Sequence, residues 1–172
     1  MKKYLITLAV VAGLLLGGCN TKELSGTELL EQGSYEAAVE KFEEAIDAGR
    51  NIEEAYRGLG IAYWEMEDYQ RARGAFSKAL NNGAEETGTI YNFLGVCDLK
   101  MGYMENALEW FDKGLETEGN SEEMIREMEF NQIAAYEGLE DWDKVREKLD
   151  SYLAKYPDDE QAQKEADFLE TR

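Results

Sequence analysis

The chain has 172 residues, which is enough for one ordinary domain. It carries 18 Lys and Arg against 37 Asp and Glu, and this charge of −19 argues against nucleic acid as a partner, because phosphates would be repelled. The absence of histidine excludes Ser-His-Asp and Cys-His catalytic pairs, zinc sites of the H-E-x-x-H type and haem held by histidine.

Residues 1–18 differ from the rest of the chain. Lys2 and Lys3 form a short basic start, and Leu5 to Leu16 is apolar apart from Thr7. A basic segment, an apolar run and a small-residue exit are typical of a secretory signal peptide that is cleaved. The alternative is a signal anchor that stays in place, but the apolar run is shorter than the roughly 20 residues a spanning helix needs.

The signal segment ends in Leu16-Gly17-Gly18-Cys19, which resembles the lipobox of bacterial lipoproteins. The resemblance implies that Cys19 is acylated with diacylglycerol and becomes the new N-terminus, with 19–25 as a lipidated tether. The protein would then be exported and anchored by its lipid to the outer face of the cell membrane or to the outer membrane. The acidic chain offers no basic surface for anionic lipid head groups. Attachment to the membrane would therefore depend on the lipid on Cys19.

With Cys19 lipidated, Cys97 has no partner for an intramolecular disulfide. Its apolar surroundings in sequence favour a buried small side chain over a reactive thiol.

A repeat organises the remaining residues. An Ala-x3-Phe pattern recurs with spacings of 34 and 35 residues, followed each time by a small residue and an aliphatic one, and a Tyr-x2-Leu-Gly pattern recurs after 35. The first pattern starts at Ala38, Ala72 and Ala107, and the second at Tyr56 and Tyr91. Together they resemble the tetratricopeptide repeat (TPR), in which small residues let two helices approach and large residues fill the space between pairs.

The resemblance implies an all-α, helix-turn-helix solenoid of about four repeats and a C-terminal capping helix, with about nine helices and no strand. The repeats are expected at about 26–52, 53–86, 88–121 and 126–159, and the cap at 158–171, with Asp158 as its N-cap. Phe42, Phe76 and Phe111 are expected to be buried between the pairs.

The fourth repeat departs from the pattern. Val145 stands where earlier repeats have alanine, and the step from Ala107 to Val145 is 38 residues. We expect the loop around Thr117–Glu123 to absorb the excess.

Solenoid repeats expose a concave face lined by the first helix of each pair. Transferring the TPR groove positions to this chain predicts a set of partner-binding residues, of which Trp64 is the favoured energetic centre. The alternative for Trp64 is a packing role, which we also expect for Trp110 and Trp142. The Lys and Asn cluster by which some TPR proteins hold a terminal carboxylate is not reproduced. The predicted positions are Arg57, Ile61, Trp64 and Glu65, then Asn92, Val96, Leu99 and Lys100, then Phe130, Ala134 and Glu137.

The leading functional hypothesis is a membrane-tethered scaffold or adaptor that binds a protein or peptide and acts in assembly of envelope complexes. One alternative is a structural solenoid that self-associates, and a less favoured one is an envelope hydrolase or transferase using carboxylates. Acidic pairs such as Glu43-Glu44 are expected on solvated helix faces, and Asp158-Asp159-Glu160 lacks the glycine-bent loop of a calcium site. No catalytic residue, metal site or cofactor is predicted.

Overall fold

The computed structural model describes residues 24–171, so Cys19 and the signal segment lie outside the described residues. Within this range the chain forms nine α-helices and no strand, which confirms the predicted all-α solenoid. No helix of this part is both long and apolar enough to cross a membrane. The helices are α1 (Gly26–Glu31), α2 (Tyr35–Asp47), α3 (Ile52–Glu65), α4 (Tyr69–Asn81), α5 (Gly88–Met101), α6 (Met104–Glu116), α7 (Glu122–Gly138), α8 (Trp142–Lys155) and α9 (Glu160–Glu170).

Consecutive helices pack against each other along the whole described chain, as expected for stacked helical hairpins. Each hairpin turn contains one residue with left-handed backbone geometry. This residue is glycine in two turns, Gly33 and Gly102, but glutamate in the other two, Glu67 (φ 59°) and Glu140 (φ 58°). A left-handed conformation is strained for a residue with a Cβ atom, so the turn geometry overrides local preference at both glutamates.

Side-chain caps set where most helices begin. Ser25 and Glu28 form a reciprocal capping box at α1, and Asp68 accepts a hydrogen bond from the Arg71 backbone N–H at α4. At α9 the cap is Asp159, whose carboxylate accepts from the backbone of Gln161 and Ala162, so the prediction of Asp158 was wrong by one residue. Asp158 instead lies in the turn that follows Pro157, one residue before the cap.

The large aromatic residues of the repeat fill the space between helical pairs. Phe76 and Phe111 are fully buried, and Gly60 and Gly95 leave room for their rings. Phe42 is only half-buried, so the expectation for this residue was wrong. The reason is that α1 has only six residues and, within residues 24–171, no helix precedes it to cover the ring.

The third repeat carries a buried acid at an aromatic position of the pattern. Asp98 stands 35 residues after Tyr63 and is fully buried. Its Oδ2 accepts a hydrogen bond from Nε1 of Trp110 at 2.9 Å, and its Oδ1 lies 2.5 Å from Nε of Arg73 in an ion pair without hydrogen-bond alignment. A buried carboxylate persists only with such partners, so Trp110 and Arg73 compensate the change.

The extra residues of the fourth repeat lie in a helix. The connection between α6 and α7 is no longer than the one between α4 and α5, whereas α7 has 17 residues against 14 in α3 and α5. The expectation that the Thr117–Glu123 loop absorbs the excess was therefore wrong. Three more residues add nearly one turn to α7, and with Val145 aligned to Ala107 this turn lies at the start of the helix.

Candidate binding groove

A groove lies at the N-terminal end of the described helices, between α1 and α3, with α2 as its floor. We call it the first-helix groove. It encloses about 520 Å³ and its apolar lining includes Leu30, Phe42, Ala45 and Ile61. The ring of Phe42 reaches this groove because Gly58 of α3 has no side chain, and a Cβ atom there would lie 2.2 Å from the ring.

Charged side chains surround the apolar floor. Lys41 pairs with Glu44 at 2.9 Å, and Nη2 of Arg57 lies 2.5 Å from Oε2 of Glu54. Arg50 also lines the groove, is exposed, and has no ion-pair partner among residues 24–171. Arg57 and Glu54 are both exposed, and an exposed pair contributes little to stability, so this pair can reorganise around a partner.

Two of the predicted binding residues of the second repeat, Arg57 and Ile61, line this groove. Trp64 does not. It is half-buried and packs edge-on against Phe93 of α5, with ring centroids 5.4 Å apart, and its Nε1 is buried without an acceptor. Glu65 accepts a hydrogen bond from the Tyr35 hydroxyl at 3.1 Å. These contacts favour a packing role for Trp64 between neighbouring repeats.

The third-repeat positions are divided between packing and surface. Asn92 is buried and donates from Nδ2 to Oε1 of Glu127 at 2.9 Å, so the expectation of an exposed Asn92 was wrong. Val96 and Leu99 pack partly buried against the cluster of Ala107, Phe111 and Met128, and Lys100 is exposed.

The fourth-repeat position Phe130 borders a separate cavity of about 290 Å³. Beside it, Arg126 lies 2.5 Å from Asp159, and the Tyr152 hydroxyl donates to the same carboxylate at 2.7 Å. Both contacts, led by that of Arg126, hold the pKa of Asp159 well below its usual range. Ala134 and Glu137 are half-buried.

Of the predicted residues, only Arg57 and Ile61 line the first-helix groove. The first-helix groove joins Arg57 and Ile61 to Leu30, Phe42 and Ala45, three residues that the sequence reasoning assigned no binding role. The signal that could have found them is the short stretch before Gly33, which leaves the first repeat open on one side. Among the described residues, no group of three or more His, Cys, Asp or Glu side chains could hold a metal ion.

A family model described as "Tetratricopeptide repeat" matches residues 24–86 and 58–122, which together cover more than half of the chain. The chain belongs to the tetratricopeptide-repeat family. TPR proteins bind protein or peptide partners, and they are generally scaffolds without catalytic activity. Comparison with curated protein sequences found no match.

Solved structures show the same TPR fold. MamA from Desulfovibrio magneticus RS-1, residues 41 to the end, is 22% identical with a TM-score of 0.71, over 86% of this chain and 80% of that one. PilF of Pseudomonas aeruginosa is 20% identical with a TM-score of 0.62, over 81% and 61%. YrrB, described as a TPR protein with an unusual peptide-binding site, is 22% identical with a TM-score of 0.57, over 83% and 88%. At these identities the likeness concerns the fold alone.

Proposed function

We propose that this TPR protein is a scaffold or adaptor, tethered to a bacterial membrane by lipid on Cys19, that binds a protein or peptide partner in the first-helix groove. The partner would be a component of a cell-envelope complex. The observation that carries the proposal is an apolar groove of about 520 Å³ with a charged border at the N-terminal end of the described helices. Grooves of this kind, with apolar pockets and a few polar groups, are usual sites for a peptide.

The residues that line the groove indicate which side chains a partner would need. Phe42 and Ile61 offer apolar contact, and Arg50 and Arg57 offer positive charge in a strongly acidic chain. An extended or helical segment with one large apolar residue next to an acidic residue fits both features. Carboxylates predominate on the rest of the surface and would repel an acidic partner. The two arginines would therefore also direct such a partner to the groove.

The lipid tether on Cys19 that the sequence predicts supports the same proposal. Leu24, the first residue the structure describes, already lines the groove, and only a few residues separate it from Cys19. A lipid on Cys19 would therefore hold the groove close to the membrane surface and favour partners that are themselves at the membrane, through a raised effective concentration.

The test is affinity capture of envelope proteins on the full chain, compared between wild type and the double variant Arg57→Glu/Ile61→Gln. Both residues line the groove, Arg57 is exposed and Ile61 is half-buried, so we expect the variant to fold. Loss of a central apolar contact and reversal of a charge should weaken partner binding by about thirtyfold or more.

The matched control is Arg146→Glu, which reverses the charge of an exposed arginine on α8 whose Nη1 lies 3.8 Å from Asp143. The proposal requires partners that are captured by wild type and by Arg146→Glu but lost with the groove variant. Equal capture by all three proteins would refute the groove as the binding site. Light scattering on the same samples separates partner binding from self-association.

A further inference from the structure

A second groove lies between α2 and α4, with α3 as its floor. It shares no lining residue with the first-helix groove and encloses about 560 Å³. We call it the second-helix groove. Its floor consists of Tyr56, Leu59 and Tyr63. The Lys78 ammonium lies 5.3 Å from the centre of the Tyr56 ring, and the Arg71 guanidinium lies 4.4 Å from the centre of the Tyr63 ring.

The next repeat shows what fills the equivalent space. Thirty-five residues on, Tyr91 corresponds to Tyr56, Lys113 to Lys78, and Trp110 to Ala75. The Trp110 ring stacks on the Tyr91 ring with centroids 5.9 Å apart and an angle of 18°, and the Lys113 ammonium lies 4.5 Å above the Trp110 ring. In the third repeat an indole thus lies between tyrosine and lysine. In the second repeat alanine replaces the indole, and lysine lies over the tyrosine directly.

Gly74 lies on the wall of the second-helix groove, and no packing contact within residues 24–171 requires a glycine there. A glycine inside a helix is destabilising relative to alanine. Every other glycine inside the described helices has a side chain within 3 Å of where its Cβ atom would lie, whereas Gly74 has nothing within 4 Å. The corresponding residue of the next repeat is Glu109. Because Gly74 has no side chain, the wall of the groove beside Ala75 is open to solvent.

The two walls carry opposite charges. Glu43 and Asp47 lie on the α2 side, and Arg71 and Lys78 on the α4 side. Neither Glu43 nor Asp47 has an ion-pair partner within residues 24–171. A helix with cations on one flank and acids on the other would complement both walls, and complementary charge of this kind selects partners and their orientation.

We propose that the second-helix groove is a further interaction site, which receives an aromatic side chain from a helical segment of a partner protein. The ring would lie between Tyr56 and Lys78, where Trp110 lies between Tyr91 and Lys113 in the next repeat. Aromatic stacking and the cation above the ring supply the attraction, and the basic and acidic flanks of the segment fix its direction.

The probe is a synthetic helical peptide of about 15 residues, long enough to form a marginal helix in water. It has one central tryptophan, lysines on one flank of the helix and glutamates on the other. We expect saturable NMR shifts of the backbone amides of Gly74, Ala75 and Lys78 in the full chain. The same peptide with alanine for tryptophan should bind at least about tenfold more weakly. The amide of N-acetyl-tryptophan tests whether the ring alone suffices, and equal affinity for it would refute the helical segment.

Two variants close the groove. Ala75→Trp introduces the residue of the third repeat and should reduce peptide binding at least about tenfold. Gly74→Gln places a side chain at the open wall while raising helix propensity, so the protein should fold at least as stably as wild type and also lose binding. Ser151→Trp, on the exposed side of α8, is the control and should leave binding unchanged.

Peptide binding that survives both groove variants, or amide shifts confined to other helices, would refute the proposal, as would the absence of saturable shifts with wild type. The Arg57→Glu/Ile61→Gln variant should still bind the peptide. The two sets of variants therefore test binding to the first-helix groove and binding to the second-helix groove separately.

Discussion

At the residue scale, Cys97 shows how burial controls reactivity. The thiol is fully buried on α5, and burial first, with the neighbouring Asp98 carboxylate second, raises the pKa of Cys97 to about 12. The nucleophile in alkylation is the thiolate, which is nearly absent at neutral pH under these conditions. Because the folded pKa lies above the ordinary value of 9.0, this thiol favours the folded state below pH 9 and that contribution is lost as the pH rises towards 12.

We therefore expect iodoacetamide at pH 8 to leave Cys97 unmodified in the folded protein and to modify it fully in guanidinium chloride. Peptide mass spectrometry reads this residue separately from Cys19. Lys100→Cys places an exposed thiol on the same helix and should be labelled without denaturant. Rapid labelling of Cys97 in the folded protein would show that α5 opens or that the residue is accessible.

At the element scale, a carboxyl group of α7 lies close to a carboxyl group of the capping helix α9. Glu137 is half-buried, and its buried carboxyl group lies close to that of Glu165. Burial first, and the Glu165 carboxylate of α9 second, raise the pKa of Glu137 from 4.5 to about 7. Because the pKa is higher in the folded protein, the protonated Glu137 carboxyl group contributes to the free energy of unfolding. This contribution is complete below pH 4.5 and is lost as the pH rises through 7.

The melting temperature of the protein should therefore fall between pH 5.5 and pH 8, and Glu137→Gln should reduce that fall because the amide stays neutral. The chain has no histidine, so no side chain of ordinary pKa titrates in this window. Glu123→Gln, an exposed glutamate of the same helix, should retain the wild-type pH dependence. An identical pH dependence in all three proteins would contradict this account of Glu137.

At the scale of the whole molecule, the repeat determined what could be predicted. The spacing of Ala72, Phe76 and their equivalents implied the hairpins, because the same small and large residues meet in each pair. The partial exposure of Phe42 could not be derived this way, since burial depends on how much of the ring the neighbouring helix covers, and α1 has only six residues. Asn92 was misplaced because its partner, Glu127, comes from the following repeat. The extra turn of α7 was missed because a longer helix and a longer loop give the same spacing in sequence.

The candidate sites were less predictable than the fold. Family positions identified Arg57 and Ile61, which line the first-helix groove, but Trp64, which its family position and its residue type both favoured, packs against Phe93. The periodicity of the sequence indicates on which face of its helix a residue lies. It does not indicate which of these faces the next repeat covers. The second-helix groove depends on Ala75 being small, and that became informative only beside the stacked Trp110 of the next repeat.

The last prediction concerns the proposed lipid tether, which would determine where the whole molecule is located. If Cys19 carries diacylglycerol, the full chain expressed in a bacterium should partition into the detergent phase of extracted membranes, with the lipid found on its N-terminal peptide. Asn20 to Gly26 spans at most roughly 23–25 Å when fully extended, so the first-helix groove would lie close to the bilayer. Cys19→Ala should remain unprocessed or be released from the lipid.

Cys97→Ala is the matched control, because it removes the other cysteine of the chain and should leave partition unchanged. Loss of the detergent-phase signal with Cys19→Ala alone would support the lipid anchor specifically. If Cys19→Ala were instead processed and partitioned like wild type, the anchor would have to be something other than a lipid on this residue. The partner would then have to be sought without reference to a membrane surface.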